Sequence, residues 1–62
     1  MKHIYGKYKG QRVFKAMDLK SGARTNNLIF ASLLTEDEAK RFMENEAPRN
    51  PEWQFQVREV GS

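Results

Sequence analysis

Cysteine is absent from these 62 residues, which excludes disulfides and thiolate metal sites. Histidine occurs once, as His3, so a multi-histidine site within one chain is excluded as well. Long apolar runs are missing: none approaches the ~18 residues that cross a bilayer. Charges are spread through residues 1–20, which leaves no apolar stretch of the kind a secretory signal uses. These absences lead to the expectation of a cytoplasmic protein with no membrane partner. No Walker loop occurs, and Gly6-Lys7-Tyr8-Lys9-Gly10 does not have the spacing of a dinucleotide fingerprint. No nucleophile and base can be paired by spacing. A chain of this size is also too small to enclose the ~300 Å³ that small-molecule sites use. The expectation is a protein that is not an enzyme, with no catalytic residue, cofactor, metal or small-molecule substrate.

Small size has a thermodynamic consequence. A domain this short buries only about 60% of the surface its unfolded chain exposes. Domains of this size draw support from disulfides, metals or association. With the first two set aside, a homodimer is expected.

What is present is charge, unevenly placed. Lys2, Lys7, Lys9, Arg12, Lys15, Lys20 and Arg24 face a single acid, Asp18, within the first 26 residues, a net +6. Residues 35–46 run the other way, with Glu36, Asp37, Glu38, Glu44 and Glu46 against Lys40 and Arg41, a net −3. The whole chain is +3.

Local patterning orders the elements as β-β-β-α-β, a small α+β domain over residues 1–60 with one helix packed on one face of an antiparallel sheet. The clearest signal is Thr35-Glu36-Asp37-Glu38, a capping box with three acids at the positive end of the helix dipole. Ala39, Phe42, Met43 and Ala47 then define a buried stripe, and Pro48 ends the helix, which is placed at 36–47. Glu36 with Lys40 and Asp37 with Arg41 are spaced to pair across one turn. Trp53-Gln54-Phe55-Gln56-Val57-Arg58 alternates with period two, a strand with one wet face. Ahead of the helix, strands are expected at residues 4–8, 12–18 and 24–32. Lys9-Gly10 and Leu19-Lys20-Ser21-Gly22 supply the turns, and Gly6 marks a bulge or close approach. The expected core is Ile4, Val13, Met17, Leu28, Phe30, Leu34, Phe42, Met43, Trp53, Phe55 and Val57, with Tyr5, Phe14 and Ala16 on the alternate face. Gly61-Ser62 reads as a cloning scar or tail.

Two surfaces point outward. Leu28-Ile29-Phe30-Ala31 is apolar without alternation, the pattern of a strand covered on both sides. One helix covers only one side, so Leu28, Ile29 and Phe30 are the candidate dimer interface. The basic hairpins, which also hold Tyr5, Tyr8 and Phe14, are the second surface. Cations attract phosphates and aromatic faces stack on unpaired bases. Lys7, Tyr8, Lys9, Arg12, Lys15, Lys20 and Arg24 are therefore the candidate contacts for nucleic acid or a protein partner. The leading expectation is an interaction module that self-associates through its sheet. The alternative is a nucleic-acid-binding accessory protein.

The pattern of a lysine-rich hairpin, Phe30-Ala31-Ser32, Thr35-Glu36-Asp37-Glu38-Ala39 and Asn50-Pro51-Glu52-Trp53 resembles small uncharacterised proteins of Gram-positive bacteria and their phages. The resemblance covers about three quarters of the chain as pattern. It implies no activity and identifies no functional residue.

Overall fold

A computed structural model describes residues 1–61; Ser62, half of the expected tail, lies outside the described residues. Four strands, β1 Lys2–Tyr8, β2 Lys15–Asp18, β3 Ala23–Thr25 and β4 Trp53–Glu59, form one antiparallel sheet in the order β3-β2-β1-β4. The helix α1, Glu36–Arg41, packs on one face. The α+β class and the β-β-β-α-β order agree with the sequence reading.

Register and alternation sort the side chains. Ile4, Gly6 and Tyr8 of β1 lie opposite Val57, Phe55 and Trp53 of β4, on the helix side. Ile4, Met17 and Ala39 form the buried centre there, with Leu19, Leu34, Phe42, Trp53 and Phe55 packed around them. Phe42 meets Phe55 edge to face, with ring centroids 5.0 Å apart, and Trp53 stacks on Phe55 at 5.7 Å. Gly6 is a site of close approach: a Cβ there would lie 2.8 Å from Met17 Sδ and 3.3 Å from Phe55 Cε1.

The capping box forms as expected. The Glu38 amide donates to Thr35 Oγ1 at 3.1 Å, and the Thr35 amide donates to Glu38 Oε1 at 2.8 Å. The Thr35 amide bond holds the Glu38 carboxyl below its usual value of 4.5. The helical run then changes pitch. Residues Phe42–Glu46 form a π turn, in which the Ala47 amide donates to the Phe42 carbonyl, and Ala47–Arg49 form a 3₁₀ turn. Pro48 supplies the reason. It lacks the amide that an α-helix would offer to the Glu44 carbonyl, and its ring would strike that carbonyl. Widening the turn ahead of it relieves both. The run is thus longer than expected, and Pro48 sits inside its last turn. The helix-surface pairs Glu36 with Lys40 and Asp37 with Arg41 do not close. Among the described residues, both ion pairs involve Glu59, at 2.5 Å from Lys2 Nζ and 3.5 Å from the amino terminus.

Two strands are shorter than their apolar content suggests. β2 starts at Lys15, not at residue 12, because Arg24 takes the acceptors the first hairpin would have used. Its Nε donates to the Gly6 carbonyl at 3.2 Å and an Nη to the Val13 carbonyl at 2.6 Å. Val13 consequently lies in a loop and is exposed, outside the core. β3 ends at Thr25, not at residue 32, because two side chains turn the backbone away. The Asn27 amide donates to Thr25 Oγ1 at 3.0 Å and the Ile29 amide to Asn27 Oδ1 at 3.0 Å. Leu28 and Phe30 therefore leave both the strand and the core.

The chain after β3 must still reach the helix. Thr25 pairs on one side of β2, whereas Ser32 reaches it from the other: its amide donates to the Met17 carbonyl at 3.0 Å, and its Oγ accepts from the Leu19 amide at 2.9 Å. Leu34 then bridges Lys2 through two backbone bonds of 2.7 and 2.9 Å. The segment thus crosses β2 and wedges between β2 and the start of β1. Ala16 and Ala31, both almost fully buried, mark the crossing, where a larger side chain would hold the segment off.

Candidate functional site

The sequence singled out seven side chains as a basic contact surface, and the structure divides them. Alternation puts Lys7 on the sheet face turned away from the helix, while Tyr8, Lys15 and Arg24 fall on the helix side. Arg24 is a structural brace, with its guanidinium spent on the Gly6 and Val13 carbonyls. Tyr8 packs edge-on against Trp53 at 5.3 Å, and its hydroxyl donates to Glu52 Oε2 at 2.5 Å. That hydrogen bond, with the charge of Glu52, raises the Tyr8 pKa above its usual 10.0. Lys9 and Arg12 project from the loop after β1, and Lys20 from the turn after β2.

A different grouping emerges on the face away from the helix. β1 contributes His3, Tyr5 and Lys7; β4 contributes Arg58, Gln56 and Gln54 directly opposite them. The Arg58 guanidinium lies 4.0 Å from the centre of the Tyr5 ring. It is fixed by two donations to Gln56 Oε1, at 2.9 and 3.3 Å. Lys7 Nζ lies 5.0 Å from the centre of the Phe14 ring. Each aromatic ring is thus faced by a cation from a neighbouring segment. This face continues into an open cleft of about 450 Å³ at the end of β1, lined by Lys7, Lys9, Gly10, Gln11, Glu52 and Gln54 among others. Gly10 adopts φ +89 there, which lets the backbone turn tightly after Lys9. The Gln11 side chain accepts from the Tyr8 amide at 2.8 Å and holds the turn.

His3 is the exception on that face. It is almost fully buried, and among the described residues its Nε2 has no hydrogen-bond partner. Its cross-strand neighbour is Arg58, and its ring centroid is 6.5 Å from that of Tyr5. Among the described residues, no three His, Asp or Glu side chains come together to hold a metal ion.

The apolar stretch forms a second surface. Leu28, Ile29, Phe30 and Leu33 are 53, 84, 63 and 56% exposed, while Ala31 between them is buried. The candidate interface residues Leu28, Ile29 and Phe30 therefore occupy a loop and not the sheet. The loop is held in shape. The Phe30 amide donates to the Asn27 carbonyl and the Ala31 amide to the Leu28 carbonyl, at 3.0 and 3.2 Å. Ile29, Phe30 and Leu33 line an open groove of about 640 Å³ with Asp18 and Lys20 on its rim.

Sequence reasoning missed Leu33 on the loop and Arg58, Gln54 and Gln56 on the sheet. The last three were visible as the wet half of the alternation in residues 53–58. Their alignment with Tyr5 and Lys7 depends on β4 pairing with β1, which no local pattern states. Comparison with known proteins adds no functional information: no family model, no curated protein and no solved structure matches the chain.

Proposed function

We propose that this chain is a non-enzymatic interaction module that pairs with a second copy of itself through the loop carrying Leu28, Ile29, Phe30 and Leu33. The observation that carries this reading is the exposure of those four large side chains in one short, hydrogen-bonded loop. Adjacent exposed apolar groups of this kind mark association surfaces. Two further features favour a second copy over an unrelated partner. Among the described residues the buried apolar side chains are Ile4, Met17 and three alanines, so one chain has little core of its own. Asp18 and Lys20 give the groove both signs of charge, which a two-fold axis can pair reciprocally.

Four side chains from each copy gain about 1–2 kcal/mol apiece on burial. Association costs about 4–15 kcal/mol. The two terms are of similar size, so the dimer is weak and its population depends on concentration. Light scattering across a concentration series tests it. A mass rising towards twice 7.3 kDa is expected for the wild type, with Ile29→Asp held at 7.3 kDa and unchanged in circular dichroism. A wild-type mass that stays at 7.3 kDa at high micromolar concentration rejects the reading.

A further inference from the structure

We propose that the sheet face turned away from the helix binds single-stranded nucleic acid. Tyr5, Phe14 and Arg58 serve as stacking platforms, and Lys7, Lys9 and Arg12 contact phosphates. The face combines the three chemistries such a ligand requires. It carries two partly buried aromatic rings, Tyr5 on β1 and Phe14 just ahead of β2. It carries planar and pointlike cations, Arg58 over Tyr5 and Lys7 over Phe14. It also carries the exposed amides of Gln54 and Gln56, which can reach base edges. Arg58 is fixed by Gln56, so its guanidinium is already positioned as a surface on which a base can stack.

Charge separation favours an anion on this side. The five acids of residues 36–46 all belong to the helical run on the opposite face. On the open face alternation places one acid, Asp18, whose carboxylate already accepts from the Lys20 amide at 3.0 Å, and the cleft adds Glu52, whose carboxylate accepts from the Tyr8 hydroxyl. Among the described residues Lys9 and Arg12 make no ion pair or side-chain hydrogen bond, and both extend the positive surface beyond β1. An extended polymer suits this geometry, because the face runs along β1 into an open cleft. Single strands suit it better than duplex, since ring stacking requires unpaired bases. The proposal does not rest on self-association, which uses Leu28, Ile29, Phe30 and Leu33 rather than Tyr5, Lys7 and Arg58.

Fluorescence anisotropy with labelled oligothymidylate, oligouridylate and a duplex, at low and moderate salt, tests it. Either single strand should bind more tightly than the duplex. Three phosphate contacts would give log K against log salt a slope of about −2. Arg58→Ala should weaken binding roughly 5- to 100-fold, the effect of losing one stacked base. Arg58→Lys, which keeps the charge and removes the plane, should lose nearly as much. Lys40→Ala, on the helix, should change nothing. No single-strand binding at low salt overturns the proposal. So does duplex bound as tightly as single strand, or Arg58→Ala binding like wild type while its circular dichroism is native. Ile29→Asp, monomeric by light scattering, separates the two proposals: it should still bind oligonucleotide.

Discussion

The two faces of this sheet are built from alternate residues of the same strands, yet they are held by different forces. On the helix side Ile4 and Gly6 meet Met17, Phe55 and Ala39, and shape decides what fits. On the other side His3, Tyr5 and Lys7 meet Arg58, Gln56 and Gln54, and the contacts are cation to ring and amide to guanidinium. Cation–ring contacts at exposed sites contribute about 0.5–1 kcal/mol each. Burying a large apolar side chain contributes about 1.5–3 kcal/mol. The helix side therefore carries more of the stability, and the cation–ring contacts of the other side can be changed at smaller cost.

The sharpest way to break this contrast is Ile4→Ala. Ile4 is the one large side chain that is 1% exposed, and its loss should cost about 2–4 kcal/mol. A domain of this length has roughly 3–9 kcal/mol in total, so the urea midpoint should fall by about half. A change under about 1 kcal/mol would move the mechanical centre elsewhere.

Gly6→Ala probes the same face from the opposite direction. The new methyl would press on Met17 Sδ and Phe55 Cε1, an overpacking cost of about 1–3 kcal/mol. Reduced freedom of the unfolded chain offsets at most about 1 kcal/mol of it. Net destabilisation in a thermal melt is expected; a rise in Tm would show that Met17 swings clear.

His3→Leu is the smallest and carries the opposite sign. His3 sits beside Ile4 in sequence and is nearly as buried, but its Nε2 is unpaired. Replacing it with an apolar side chain should leave stability unchanged or raise it by about 1 kcal/mol. A loss matching Ile4→Ala would mean that the imidazole does bonding work on this face.

Legibility in the sequence followed the range of the contacts. The capping box at Thr35 and the alternation of residues 53–58 act over three or four residues, and both were read correctly. Gly6 was read as a bulge or close approach, and close approach is what Met17 and Phe55 impose. The ends of β2 and β3 were misplaced because side-chain hydrogen bonds set them. Thr25-Asn26-Asn27 is a turn signal that a strand over residues 24–32 passes over. The brace at Arg24 carried none, since its partners Gly6 and Val13 lie 18 and 11 residues away. The candidate site suffered most from this. An error of where a strand begins leaves its parity intact but moves residues such as Val13 and Phe30 from core to surface.

From the order of residues alone come the element types, the absence of thiol chemistry, the capped acidic helix and the excess of cations ahead of it. These depend on composition and on neighbours along the chain. Which cations share a surface, and which apolar groups are left uncovered, was set by the pairing of β4 with β1, the insertion of Arg24 and the crossing of β2 after Thr25. Each joins segments far apart in sequence, so its free energy exists only once the chain has folded.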